Sequence, residues 1–132
     1  DLLSKHARHD ESESESAAYS MEIVLHDRKR LDTLLESLVE LGVTNAAVID
    51  CQSMARKLAY EMPVFAGLSY MSPHKSIDST LVSCTVRDRT IGQRLFGLLR
   101  ETDIDLNQPN QGYIRLIRID EMIGEPEETI EL

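Results

Sequence analysis

The order of strand-like and helix-like segments is the feature that most constrains the fold of this chain. A first half contains a β-rich run at Met21–His26, a helical pattern, and a second apolar run at Ala46–Cys51. A second half contains an alternating strand at Ser79–Val86, another helical pattern, and a last strand at Tyr113–Ile119. Two strand–helix–strand halves with right-handed crossovers predict an α+β, ferredoxin-like βαββαβ sandwich: an antiparallel four-stranded sheet with both helices on one face.

Both helices are predicted from apolar residues at helical spacing and from the residues that bound them. Asp27 and Asp88 stand where an N-cap side chain can accept a backbone N–H bond. Gly42 follows the first helix, where glycine adopts the left-handed conformation without strain. The run AAVIDC at Ala46–Cys51, apolar except for Asp50, predicts a strand buried on both faces. The apolar stripes consist of Leu31, Leu34, Leu35 and Leu38 in the first helix, and of Ile91, Leu95, Leu98 and Leu99 in the second.

The connection from Gln52 to Asp78 is far longer than the four to six residues that usually join elements of a compact domain. Its first part, Ser53–Met62, has helical propensity, and Pro63 is expected to end that helix. Connections of this length are usually functional or carry structure of their own. The sequence therefore predicts a functional loop at Gln52–Asp78.

One face of the predicted sheet has no helix to cover it. Val24, Ile117 and either Leu81 or Val82 are expected on that face, depending on the parity of the strands. An open apolar face of this kind predicts association. A closed homo-oligomer is the simplest arrangement that would cover it.

The charge of the chain is concentrated at its ends. The net charge is −9 at 132 residues, and a nucleic-acid-binding surface, which needs clustered Lys and Arg, is not expected. The boundaries predicted are a flexible acidic linker at 1–20, one folded domain at 21–124, and an acidic tail at 125–132.

The linker begins with a short basic cluster, Lys5, His6, Arg8 and His9, behind Leu2 and Leu3. Two interpretations are open: a simple tail, or a juxtamembrane segment that follows a transmembrane helix. The two cysteines and the lack of an apolar run of eighteen residues favour a reduced, cytoplasmic setting, either free or as the soluble domain of a membrane protein.

Little in the chain predicts catalysis or metal binding. No nucleophile elbow, zinc-protease or P-loop motif is present, so we expect no enzymatic activity. His26 and His74 belong to a scattered set of histidines without ligand spacing, so no metal ligand is assigned. Cys51 and Cys84 are expected on neighbouring strands, as buried thiols or, at short range, as a disulfide.

Three stretches, in this order, resemble the PII-like signalling proteins: VTNAAVIDCQSM at Val43–Met54, MPVFAGLSYM at Met62–Met71, and LNQPNQGYIRLIRIDEMIG at Leu106–Gly124. The resemblance covers about Met21 to Gly124. It implies a homotrimer whose sheets line the interior, with the 52–78 segment in the place of the family's partner-binding T-loop. It also implies a small-molecule effector, with an adenine nucleotide as the expected example, in clefts between subunits.

The resemblance implies that the ligand contacts three groups of residues. The partner that it implies for the long loop is a target protein, and if residues 1–20 are a tether, a membrane transporter in the same polypeptide. A ligand-free trimerisation domain of a larger protein and a divalent-metal-binding trimer are the alternatives. The candidate ligand-binding residues are Gln52, Ser53 and Met54 at the loop base, Phe65, Gly67 and Tyr70 in the loop, and Asn110, Gln111, Gly112, Tyr113 and Arg115 in the last turn and strand.

Overall fold

The computed structural model describes residues 17–62, 64 and 78–126 of the chain. The candidate residues Phe65, Gly67 and Tyr70 lie outside the described residues. The elements in chain order are β1 (Ala18–Leu25), a single 3₁₀ turn (Arg28–Arg30), α1 (Leu31–Glu40), β2 (Ala47–Gln52), α2 (Met54–Glu61), β3 (Asp78–Val86), α3 (Ile91–Glu101) and β4 (Gly112–Ile119).

The four strands form one antiparallel sheet in the order β2-β3-β1-β4. Helices α1 and α3 cover one face of this sheet, and their side chains form a single core with those of β1 and β3. The fold is therefore the predicted ferredoxin-like α+β sandwich, with α2 as an additional helix inside the long connection. The fully buried side chains of this core include Met21, Ile23, Leu25, Leu34, Leu38, Val82, Leu95, Leu99 and Ile104.

The predicted helix ends lie close to those in the structure, but the N-cap positions of the α-helices are Arg30 for α1 and Thr90 for α3 rather than Asp27 and Asp88. The carboxylate of Asp27 accepts the backbone N–H of Lys29 at 3.1 Å and so caps the 3₁₀ turn that leads into α1. Asp88 accepts the N–H of Thr90 at 2.8 Å immediately before α3. Gly42, at φ 81°, ends α1 in the left-handed conformation.

The first strand and the second differ from their predictions. β1 begins at Ala18, so its first three residues belong to the folded domain and not to the predicted linker at 1–20. The prediction that the run Ala46–Cys51 is buried on both faces is wrong: the strand spans Ala47–Gln52, and all of its residues except Cys51 are exposed. It is an edge strand with a single neighbour, β3, and Val48 and Ile49 are each 46% exposed. An apolar run cannot by itself distinguish an edge strand from a central one.

The side of the sheet away from α1 and α3 carries an apolar row that crosses all four strands. The register places Ile49 opposite Leu81, Leu81 opposite Val24, and Val24 opposite Tyr113. Residues directly opposite one another in an antiparallel pair point to the same face. Leu81 therefore lies on this open face, whereas Val82 is fully buried under the helices.

Gly112, at the start of β4, lies where strands β1 and β4 approach each other closely, and its substitution tests this contact. Its φ is 144°, and a Cβ at this position would lie 2.0 Å from the carbonyl oxygen of Val24. We expect Gly112→Ala to lower the free energy of unfolding by at least about 2 kcal/mol, because the substitution adds a backbone clash to an unfavourable φ. Urea denaturation followed by circular dichroism measures this loss.

The matched control is Gly124→Ala. Gly124 has a similar φ of 97°, but a Cβ there meets no atom within 4 Å. Its substitution should therefore cost only the conformational term, about 1 kcal/mol. Equal losses for the two variants would contradict the proposed clash between Gly112 and Val24.

Candidate functional site

Most of the described candidate residues meet at one end of the sheet. The last residues of β1 and β2 and the first residues of β3 and β4 lie at the same end of the sheet. There Gln52 is opposite Asp78 and Leu25 is opposite Gly112. We call this end of the sheet, with the turn Asn110–Gln111 and helix α2, the loop-base end. Both segments that flank the long connection leave the sheet here, as the sequence predicted.

Arg56 connects helix α2 to the sheet at the loop-base end. Its side chain is 3% exposed, although arginine is rarely buried without partners. The guanidinium donates from Nη1 to the backbone carbonyl of His26 at 2.9 Å, and its Nη2 reaches the carbonyl of Asn110 at 3.5 Å. Burial lowers the pKa of Arg56 from its ordinary value, but an arginine remains charged at neutral pH. A charged clamp therefore links the loop base to the last turn.

The last turn is held against β1 by its backbone. Asn110 has a left-handed φ of 64°, which asparagine tolerates better than most residues. The carbonyl of Gln111 accepts the N–H of His26 at 3.0 Å. Arg56 and Gln111 thus both bond to the backbone of His26, from helix α2 and from the last turn respectively. A displacement of the turn would therefore change the hydrogen bonds that hold helix α2.

His26 also contacts β3 through its ring. Its Nδ1 lies 3.0 Å from the hydroxyl oxygen of Ser79, and which of the two atoms donates depends on the tautomer. Sequence reasoning did not assign His26 or Arg56 to the site. Neither residue has a motif that marks it, and their contacts join positions 30 to 85 residues apart in the sequence.

The predicted loop-base residues Gln52, Ser53 and Met54 lie at the junction of β2 and α2 but make few contacts inward. The Gln52 side-chain oxygen accepts a hydrogen bond from Lys57 at 3.1 Å. Ser53 precedes α2 without a side-chain cap bond, and its carbonyl accepts the N–H of Lys57. Met54 is 77% exposed. These side chains are available to a ligand or a partner rather than part of the core.

Tyr113 and Arg115 lie on the open face, at the edge strand β4. The guanidinium carbon of Arg115 lies 5.3 Å from the centre of the Tyr113 ring, within cation–π range. Of the predicted residues in the last strand, these two are therefore paired with each other. They stand apart from the Arg56 clamp.

A groove of about 510 Å³ opens on the other side of β4, between that strand and α3. Two of the predicted residues, Gly112 and Tyr113, contribute to it. Sequence reasoning missed its other residues because they come from the helix and the last turn and show no common motif. Its lining includes Arg89, Gly92, Gln93, Phe96, Leu106, Asn107, Ile114 and Leu116.

The two cysteines are too far apart to form a disulfide. Cys51 lies opposite Ser79 on β3, five positions from Cys84, which corresponds to roughly 16 Å along the strand. Both are free thiols, and they point to opposite faces of the sheet. Burial, with a smaller contribution from Glu22, raises the pKa of Cys84 to about 11. This thiol is a core residue.

The part of the chain that the structure describes contains no group of three His, Cys, Asp or Glu side chains able to hold a metal ion. It also contains no helix long and apolar enough to cross a membrane. The loop-base end also carries carboxylates, since Arg28 pairs with Asp50 at 2.6 Å and with Asp78 at 3.6 Å.

Comparison with known proteins yields likenesses among solved structures but not among sequence families. No protein-family model matches the chain, and no curated protein matches it. Among solved structures, the Arabidopsis thaliana PII protein bound to citrate overlaps 76% of this chain and 76% of its own, at 11% identity and a TM-score of 0.49. The ferredoxin-like assignment rests on the strand order and register of this chain itself.

The Arg56 clamp can be tested by removing its donors. Arg56→Met keeps most of the side-chain volume but removes the donor to two half-buried carbonyls, so we expect the free energy of unfolding to fall by about 1–3 kcal/mol. The amide of His26, which bonds to Gln111 beside the clamp, should also exchange faster with deuterium. Urea denaturation and residue-resolved hydrogen exchange measure these two effects.

Lys57→Met is the matched control on the same helix. It removes a cation that is half exposed and paired with Glu61 at 2.9 Å, and exposed pairs of this kind contribute less than about 1 kcal/mol. Unchanged exchange at His26 in Arg56→Met, or equal effects in both variants, would show that Arg56 does not connect α2 to the last turn.

Proposed function

We propose that this domain is a non-enzymatic regulatory module of the PII-like type. It assembles as a homotrimer, binds a small effector at the loop-base end, and transmits binding to a partner through the 52–78 segment. The observation that carries the proposal is the buried Arg56, which bonds the first helix of that segment to the last turn. The three sequence stretches that resemble the PII-like proteins support it.

The clamp supplies a route from ligand to loop. An effector that contacts the last turn near Asn110 changes the position of a carbonyl to which Arg56 donates. Because the guanidinium also bonds to His26 at the end of β1, a movement of the turn shifts the balance between two arrangements of α2. A partner that contacts the exposed Met54 would detect this shift.

The open face supports the proposed assembly. Its apolar row, formed by Ile49, Leu81, Val24 and Tyr113, ends at both edges of the sheet. Beside this row, the carboxylate of Glu22 accepts hydrogen bonds from Ser20 at 2.7 Å and Ser83 at 3.0 Å. An apolar stripe bordered by a bonded polar cluster can bury its apolar part while the polar part sets the register between subunits.

The assembly is tested by a charge placed on the apolar row. We expect the wild-type chain to sediment at three times its 14.9 kDa mass, and Leu81→Glu to sediment as a folded monomer. Leu81 points away from the core, so the variant should keep its secondary structure. The control is Val39→Glu on α1, where a 43% exposed side chain lies on the helix side of the sheet. A monomeric wild type would end the proposal.

The effector is tested by thermal shift against adenine nucleotides, cyclic nucleotides and divalent ions. A compound that binds only the native state at one hundred times its dissociation constant stabilises it by about 2.7 kcal/mol, which corresponds to several degrees. We expect an adenine nucleotide to do so. Arg56→Met should still bind it but lose the ligand-dependent change in hydrogen exchange at residues 54–61.

The remaining outcomes separate the alternatives. A trimer that no compound stabilises would favour a ligand-free trimerisation domain. A trimer stabilised by a divalent ion alone would favour the metal-binding alternative. A partner can be identified by crosslinking from a photoreactive side chain introduced at position 54. Under the tether hypothesis, this partner is a transporter joined to residue 1.

A further inference from the structure

The groove between α3 and β4 lies on the helix side of the sheet, away from the open face. Its floor is apolar and includes Ile114 and Leu116. Gly92 faces this floor from the helix, and a Cβ there would lie 3.6 Å from the side chain of Ile114, an ordinary contact distance. Because glycine has no side chain, it leaves this part of the groove open. A larger side chain at Gly92 would occupy the groove. Its volume of about 510 Å³ lies in the range of small-molecule sites, about 300–1,000 Å³.

Positive charge surrounds this groove although the chain as a whole has a net charge of −9. Arg89 lines the groove and has no ion-pair partner among the described residues, whereas Arg94 on the same helix is paired with Asp88 at 2.9 Å. Arg100 stacks on the Phe96 ring of the groove, with its guanidinium carbon 5.7 Å from the ring centre. The concentration of cations predicts a local attraction for anions.

Polar and aromatic groups of the groove would determine which anions fit it. The side chains of Gln93 and Asn107 bring amide donors and acceptors to the groove, and the backbone N–H of Asn107 donates to the carboxylate of Asp105 at 3.0 Å, which holds Asn107 in its turn. The ring of Phe96 offers a flat surface, on which planar ligands stack favourably. The guanidinium of Arg89 beside this ring and an apolar floor suits a ligand with one anionic end and one planar end.

We propose that the groove between α3 and β4 binds a small organic anion with a planar aromatic ring. Its carboxylate or phosphate group pairs with Arg89, and its ring packs against Phe96. The site is built from one chain and lies on the opposite side of the sheet from the open face, so it does not require the trimer. It shares Gly112 with the loop-base end, but the groups proposed to bind the ligand, Arg89 and Phe96, are not part of that end.

The experiment is an NMR titration of the ¹⁵N-labelled chain with 2-naphthoate and with 2-naphthyl phosphate. These probes share the planar ring and differ in the anionic group, so their relative affinities show whether a carboxylate or a phosphate suits the site. 2-Naphthamide lacks the charge, and cyclohexanecarboxylate lacks the planar ring. We expect the first two probes to shift amides of α3 and β4 around Gly92 and Ile114, with both controls at least about tenfold weaker.

Variants test whether Arg89 and the groove itself are responsible. Arg89→Gln should weaken 2-naphthoate about tenfold, as expected for the loss of one charge-assisted bond. Arg118→Gln, on β4 but not in the groove, should leave the affinity unchanged. Gly92→Leu should fill the groove and abolish binding without loss of stability, because leucine is a better helix former than glycine.

Gly97→Leu is the control for Gly92→Leu. Gly97 lies on the same helix, and a Cβ there meets nothing within 4 Å, so the variant should bind like the wild type. The proposal is overturned if neither anionic probe shifts the groove amides, if 2-naphthamide binds as well as 2-naphthoate, or if Arg89→Gln and Gly92→Leu bind normally. Because Leu81→Glu leaves the groove intact, retained binding in that variant shows that this site stands even where the trimer fails.

Discussion

Strand β1 is the constraint on which the rest of the structure depends, because it pairs along its length with β3 on one side and β4 on the other. Its core-facing side chains, Met21, Ile23 and Leu25, are fully buried. Its end determines where the last turn can lie: Gly112 is packed so closely against Val24 that a Cβ would overlap the backbone. The carbonyl of His26 then accepts a hydrogen bond from the Arg56 guanidinium, and the N–H of His26 donates one to the carbonyl of Gln111. The site at the loop-base end is thus an extension of the central strand.

A buried guanidinium is an unusual way to attach a helix. Removing its charge from water is costly, and the two backbone carbonyls offset this cost as long as both remain in place. Helix α2 buries Arg56 and Ala59 and otherwise leaves most of its surface exposed. Its attachment therefore depends on a few directional bonds rather than on a broad apolar contact. A helix held in this way is suited to respond to small changes in the last turn.

The sheet separates two kinds of surface. Its open face presents an apolar row bordered by the Glu22 cluster, which suits association between copies of the chain. The helix side presents the groove beside α3, where Arg89 and the ring of Phe96 suit a small anion with a planar ring. The edge strand β4 contributes to both surfaces, because Tyr113 lies on the open face whereas Gly112 and Ile114 line the groove.

The sequence by itself determined the elements and their order. Apolar periodicity, the caps at Asp27 and Asp88, and the stop at Gly42 are local signals, and local signals are what single-sequence reasoning can detect. The tertiary structure decided which strand lies at an edge and which side chains meet. β2 is as apolar as a central strand but has one neighbour, and Arg56 contacts residues 30 and 54 positions away. Such contacts depend on how the elements pack in space, and no pattern of neighbouring residues records that packing.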